Sequence, residues 1–336
     1  MTKKAIYSMA VSQDGRRALT GYGCKDNNLQ LWDLDKGEST SFLAGQTEAL
    51  YGCAVASNGN IGASGSKTGQ ICLHDLNTAS VEAKWKGHES VVHSLDFQPA
   101  SSRMTCSASS DGEVRIFDAR NLGDRKPAAR IEDAAASGTV YQALWWTDQK
   151  LISCGDDYCV KSWDIRKPDG PFWSFFGHSS VCRAICLSPD KKFMVSGTNS
   201  GSVRVWLTDE ISMTEEILKE INGRHKTCKK NQDKMERDLE NGDLEDPSEL
   251  MEVRREGEDI EEELYYYGKV KEERMLIGCS QAKLSLDGSA ATVAALAWKD
   301  LGDGKALVAA GAQDTSIRLY EVDTTEIDSL ERWEKD

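Results

Sequence analysis

The sequence predicts an all-β fold of six repeated four-stranded units stacked radially into a ring, with one charged helical insertion ahead of the last unit. Three observations carry that expectation. A short segment ending in an aromatic residue followed by an acid, or a remnant of that pair, recurs along the chain. Each unit alternates apolar and polar residues with period two. One spacing is swollen by a stretch in which half the residues are charged.

The recurring segments are Leu29–Asp33, Ile71–Asp75, Val114–Asp118, Val160–Asp164, Val203–Leu207 and Ile317–Glu321, whose ends lie 42, 43, 46, 43 and then 114 residues apart. The third unit shows the internal pattern best. An apolar strand, Val91–Phe97, meets a turn at Gln98–Ser101; a second strand, Met104–Ala108, ends in small residues; a tight turn at Ser110–Gly112 leads into Val114–Phe117. Turn residues every eight to twelve positions between alternating strands mean antiparallel meanders. A single meander cannot cover its own apolar face, so the units stack on one another and close into a ring.

The swollen spacing exceeds a normal period by about 71 residues, numerically enough for a seventh unit. Its composition argues against one: Thr208–Met275 holds 22 acidic and 12 basic residues among 68, a density that belongs to solvated helices or disorder. Ser212-Met213-Thr214-Glu215 is a capping box ahead of Ile217, Leu218 and Ile221, with Asn222-Gly223 as a stop. Asp246-Pro247-Ser248-Glu249 opens a second helix. In it Leu250, Val253, Gly257, Ile260, Leu264 and Tyr267 follow at steps of 3, 4, 3, 4 and 3, a heptad seam broken only by Gly257. Leu276–Gly278 and Lys283–Asp287 can resume as the outer strand of the fifth unit. The domain reading is therefore 1–207 for the first five units, 208–275 for a charged arm, and 276–336 for the end of the fifth unit, the last unit and the tail. Six blades and a weakly marked seventh both remain open.

Gly87-His88 followed by Ser107, Asp111 and Phe117-Asp118, and Gly177-His178 followed by Ser196 and Trp206, resemble the WD-repeat β-propeller family. The resemblance covers about residues 5–207 and 276–323. In that family a loop histidine, a serine, a turn aspartate and a tryptophan form a hydrogen-bonded chain that locks each blade. The resemblance implies that structural role for His88, Ser107, Asp111, His178, Ser196 and Trp206, and for Trp32, Asp157 and Trp163. The match is partial: Phe117 cannot donate, Ser200 stands where the fifth unit's aspartate would be, and the second unit has Gln46, Thr68 and His74.

Function is bounded next by charge and chemistry. With 41 Lys+Arg against 55 Asp+Glu the chain carries a formal charge of −14, so direct contact with nucleic acid or an anionic membrane is not expected. No apolar run reaches the roughly 18 residues of a spanning helix, and the start turns polar too early for a signal peptide. Ten scattered cysteines read as reduced thiols. The expected place is the cytoplasm, with the nucleus as alternative. Cys182 and Cys186, four apart on a strand, are separated by roughly 13 Å, too far to share a metal. Cys154 and Cys159 flank a turn with no third ligand nearby. His93 and His225 lack an adjacent nucleophile, and no phosphate-cradling glycine loop is present. No catalytic residue, cofactor or metal is expected.

Binding signals are better. The turns between second and third strands share one face around the central channel, and Lys25, Lys67, Tyr158 and Gln313 are expected to point outward there as partner contacts, together with the arm seam of Leu250, Val253, Ile260, Leu264 and Tyr267. Arg115, Lys161, Arg204 and Arg318 recur two residues before the aromatic, which is the usual half-exposed position of a third strand. Asp118-Ala119-Arg120 and Asp164-Ile165-Arg166 resemble the double Asp-x-Arg box of WD-repeat substrate receptors of cullin ubiquitin ligases, which implies adaptor docking by Arg120 and Arg166. The last unit's elongated connection resembles the receptor-for-activated-C-kinase type of ribosome-bound signalling propeller. The reading that fits most is a non-catalytic scaffold or adaptor binding one or more proteins in a multi-subunit complex.

Overall fold

The computed structural model describes residues 5–25, 28–121, 126–135, 138–176, 178–208, 291–313 and 316–324, the backbone of 284–286, and scattered positions between 223 and 253. Within them the chain forms six antiparallel sheets, each a meander of sequence-consecutive strands. The first blade runs Ile6–Val11, Arg17–Tyr22, Leu29–Asp33 and Glu38–Phe42; the second Leu50–Val55, Ile61–Ser66, Gln70–Asp75 and Ser80–Lys86. The third is Val92–Phe97, Met104–Ser109, Val114–Asp118 and Ala129–Ile131, and the fourth Val140–Trp145, Lys150–Gly155, Val160–Asp164 and Trp173–Phe175. The fifth comprises Cys182–Leu187, Phe193–Thr198, Val203–Leu207 and Leu284–Leu286; the sixth shows three strands, Val293–Gly302, Lys305–Ala312 and Ile317–Asp323. First strands of consecutive blades touch one another, so they line a common axis and the molecule is a six-bladed β-propeller.

Consecutive sheets stack by burying the faces they turn to one another. In the second strand a small residue admits the residue that opens the next blade. A Cβ added to Gly65 would lie 2.5 Å from Val92 Cγ1, and one added to Gly197 would lie 2.5 Å from Val293 Cγ1. Cys154 holds the same register position in the fourth blade and is hydrogen-bonded to Cys182 of the fifth, so the two thiols form a buried pair across that interface. Polar bonds cross between blades as well. Ser94 Oγ accepts from the Ala143 amide at 2.9 Å, Asp96 Oδ2 from the Trp145 amide at 2.8 Å, and Gln142 Oε1 from the Ile185 amide at 2.8 Å.

The third and outer strands of the fifth blade are separated in sequence by the stretch 208–283. Val203 pairs with Leu286, Arg204 with Ser285 and Val205 with Leu284, so the outer strand of the fifth blade resumes after the arm. The chain divides into two compact units, Met1–Trp206 with Ala282–Asp336, and Leu207–Gln281. In the second unit Gly223 is itself helical, and helical positions continue to Arg237, so Asn222-Gly223 is no stop. A glycine inside a helix costs only about 1 kcal/mol against alanine, and Thr227 Oγ1 donates to the Gly223 carbonyl at 3.1 Å. Of the heptad seam, Val253 is helical and half-buried; Leu250, Ile260, Leu264 and Tyr267 lie outside the described residues.

Candidate functional site at the channel mouth

The first two strands of every blade pair with the same irregularity. Register shifts fall at Ile6/Ser8, Leu50/Gly52, Val140/Gln142, Cys182/Ala184 and Val293/Ala295, and in the third blade opposite Ala108/Ser109. A bulge leaves one residue out of the ladder and re-aims its side chain. The residues so placed are Tyr7, Tyr51, His93, Tyr141, Arg183 and Ala294, and all six line one cavity of about 590 Å³ at the head of the central channel.

Four of these side chains form a continuous aromatic arc. Ring centroids are 5.0 Å apart for Tyr7 and Tyr51, 5.9 Å for Tyr51 and His93, and 5.2 Å for His93 and Tyr141. The Arg183 guanidinium ends the arc, 4.2 Å from the Tyr141 ring centre. Each turn between second and third strands is bonded to the entry of its own first strand, which brings the turns to the same mouth. The Lys67 amide donates to Ala49, Ser110 to Val91, Asp156 to Thr139, Asn199 to Val181 and Gln313 to Thr292. Side chains then tie the two rings together: His93 Nε2 is 2.7 Å from Ser110 Oγ, and Arg183 Nε donates to Asn199 Oδ1 at 2.8 Å. Burial, with the nearby Arg183 charge, holds His93 at about 4, so it is neutral at pH 7. Burial raises Tyr141, which is also bonded to Asp156. The His93 ring is flanked by tyrosines rather than oriented by a carboxylate, an arrangement suited to stacking and not to activating Ser110 as a nucleophile.

Lys67 and Gln313 occupy the pinned turn positions, and Lys25 and Tyr158 stand two residues beyond the equivalent Gly23 and Asp156; all four are exposed on the outer rim. Lys25 Nζ lies 3.7 Å from Glu48. The inner arc was not legible as a motif, because a bulge belongs to strand pairing. Aligning the six units would nevertheless have shown a column of Tyr, Tyr, His, Tyr, Arg and Ala one residue after each strand opens.

The other singled-out residues sit between strands. His88 Nδ1 is 2.9 Å from Asp111 Oδ2 and its Nε2 is 2.7 Å from Ser107 Oγ. Burial raises the Asp111 carboxyl, but its bond and charge interaction with His88 outweigh this and hold it at about 2. His178 Nε2 and Trp206 Nε1 both reach Ser196 Oγ at 2.7 Å. Trp32 Nε1 donates to Thr20 Oγ1 and Trp163 Nε1 to Ser153 Oγ, each at 2.8 Å. Asp157 meets no histidine and pairs with Lys161 at 2.5 Å. In the second blade His74 takes the tryptophan's place, 2.9 Å from Ser64 Oγ, while Gln46 Nε2 donates to the same oxygen. Arg115 is tied to Glu113 and the Gly87 carbonyl, so it does not join a basic stripe. Arg120 and Arg166 are exposed and each grips its own aspartate, Asp118 and Asp164, with Nε at 2.8 Å. Among the described residues no group of three His, Cys, Asp or Glu is placed to hold a metal, and no helix is long and apolar enough to cross a membrane.

Comparison with known proteins bears on this geometry. The family described as "WD domain, G-beta repeat" matches residues 2–33, 80–118 and 170–206. The chain is 26% identical over 207 residues to a periodic tryptophan protein 1 homolog of Drosophila melanogaster, covering 56% of this chain and 44% of that one. It is 30% identical over 177 residues to ribosome biogenesis protein YTM1 of Vanderwaltozyma polyspora, covering 49% and 37%. It is 24% identical over 225 residues to a ribosome biogenesis protein WDR12 homolog of Drosophila pseudoobscura pseudoobscura, covering 61% and 51%. The chain thus spans about half or less of the length of these relatives.

Proposed function

The chain belongs to the WD-repeat β-propeller family, and on that premise we propose that it is a non-catalytic scaffold subunit of a ribosome-assembly complex. It docks a partner's polypeptide at the channel mouth. The observation that carries this is the aromatic arc: four rings in tilted and edge-to-face contact, closed by one guanidinium, all delivered by the same bulge, around a cavity of about 590 Å³. Tyrosine and arginine dominate the energetics of protein interfaces because they bury large area at low entropic cost while keeping a polar handle. A segment with an aromatic or aliphatic anchor and an acidic group for Arg183 fits the inner ring, and Lys25, Lys67, Tyr158 and Gln313 form the rim it crosses. Single-stranded RNA fits less well. The arc offers one cation, no track of phosphate ligands follows it among the described residues, and the chain is acidic.

The relatives named for ribosome biogenesis support the choice of complex, and that choice favours the nucleus over the cytoplasm. The test is sedimentation of cell extracts with the whole chain and with Tyr51→Ala, Tyr141→Ala and Arg183→Ala combined. The unaltered chain is expected among pre-ribosomal particles, and the triple variant near the top of the gradient with a melting temperature lowered by no more than a few degrees. An unaltered chain that never meets the particles, or a triple variant that stays with them, refutes the reading.

A further inference from the structure

The five interfaces between consecutive blades follow one rule, and the faces that would make a sixth do not. The first apolar residue of each third strand up to the fifth blade is fully buried: Leu29, Ile71, Val114, Val160 and Val203 are all 0% exposed, whereas Ile317 in the sixth blade is 74% exposed and Leu319, on the same face, 63%. The residue opening each first strand is buried in the same way. Leu50, Val92, Val140, Cys182 and Val293 are at most 1% exposed, yet Ile6 is 56% exposed and Met9, three residues on, 65%. Gly311 confirms it from the other side. A Cβ there meets only Ala295 of its own blade, at 3.9 Å, where the equivalent Gly197 meets the next blade's Val293. Ile317 and Met9 line the same cavity as the aromatic arc, so the two bare faces open onto the channel on either side of one gap.

We infer that this gap receives a seventh blade in trans: an antiparallel β-sheet from a partner polypeptide inserted between the sixth and first blades. The molecule itself specifies the occupant's chemistry, because the same two faces are covered five times over. The incoming sheet opens its first strand with a β-branched or leucine residue that rests on Gly311, as Val293 rests on Gly197. Its second strand carries glycine or alanine to accept Ile6 and Met9, as Gly21 accepts Leu50. The stretch 208–281 does not match that description, since half of Thr208–Met275 is charged. This inference does not depend on what the channel mouth binds.

The experiment places the photo-crosslinking residue benzoylphenylalanine at Met9 in one form of the full chain and at Ile317 in another, in cells that make the protein, and maps the joined peptides. Both positions are expected to join one and the same polypeptide, within a stretch of about one blade and with period-two apolar alternation. Ile317→Glu with Leu319→Glu is expected to leave the melting temperature of the purified chain unchanged and to lower the crosslink at Met9 about tenfold or more, since a single docked sheet touches both faces. Four results overturn the proposal. They are a crosslink between Met9 and the sixth blade of the same chain, a crosslink to residues 208–281 or to a second copy, two unrelated polypeptides at the two positions, or no crosslinked product. A Met9 crosslink that survives the double glutamate variant also overturns it.

Discussion

At the scale of single residues, the histidines carry the pH dependence of stability. Burial lowers His74, His93 and His178 to about 4 each, with the charge of Arg183 adding to the effect at His93 and that of Arg204 at His178. An unfolded histidine takes up a proton near pH 6.5 while these three stay neutral in the fold. Their contribution is therefore fully present above pH 6.5 and is lost as the pH falls from there towards 4. Asp96 acts oppositely: burial raises it to about 6, so acidification through that value favours the folded form. Three groups outweigh one. Between pH 7 and pH 5 the unfolding free energy is expected to fall, each histidine supplying on the order of 1–2 kcal/mol, and His74→Gln is expected to flatten the slope by about a third. Denaturant unfolding at the two pH values checks this; a midpoint independent of pH, or an unaltered slope in the variant, contradicts it. His88 and His178 could be read from sequence because each follows a glycine at the right distance from a serine. His74 stands in the repeat's tryptophan column, and the structure adds its register opposite Gly62 and its bond to Ser64.

At the scale of the element, the strands were legible and their deviations were not. Period-two alternation located all six third strands and the resumption of the fifth blade's outer strand, because burial on both faces dictates residue type at alternate positions. The bulge is set by pairing between strands and leaves no trace within a single unit, so Tyr7, Tyr51, Tyr141 and Arg183 carry no local signal and His93 stands out only as a histidine without an adjacent nucleophile. Nor does any local feature tell Ile317 from Val203: the residue types match, and exposure differs only because of what lies beyond. That difference gives a paired expectation for two equivalent glycines. Gly197→Ala puts a Cβ 2.5 Å from Val293 Cγ1 and is expected to cost about 1–3 kcal/mol through overpacking. Gly311→Ala meets only Ala295 of its own blade, at an ordinary van der Waals distance of 3.9 Å, and is expected to change stability by no more than about 0.5 kcal/mol. Thermal unfolding of the two variants side by side decides it, and equal losses would mean that the sixth blade's face is covered in solution by the chain itself.

At the scale of the whole molecule, the arm is inserted at a point where the chain would otherwise turn. Val205 pairs with Leu284, so the strand leaving the fifth blade and the strand returning to it are direct neighbours, and the 76 residues from 208 to 283 close a loop whose ends already meet. A tight hairpin satisfies the same pairing. Loop-closure entropy grows with the logarithm of length, so a four-residue turn containing Asn-Gly in place of 208–283 is expected to raise the unfolding free energy by about 2–3 kcal/mol, provided the first unit draws no packing from the second. The charged composition of the arm gives the propeller little apolar surface to lose. Far-UV circular dichroism separates the alternatives: the shortened chain is expected to show a β spectrum, and the difference from the whole chain a helical one. A shortened chain that unfolds at a lower temperature, or keeps a helix-dominated spectrum, would show that the propeller depends on its arm and that the division at Trp206 and Ala282 is not a division of stability.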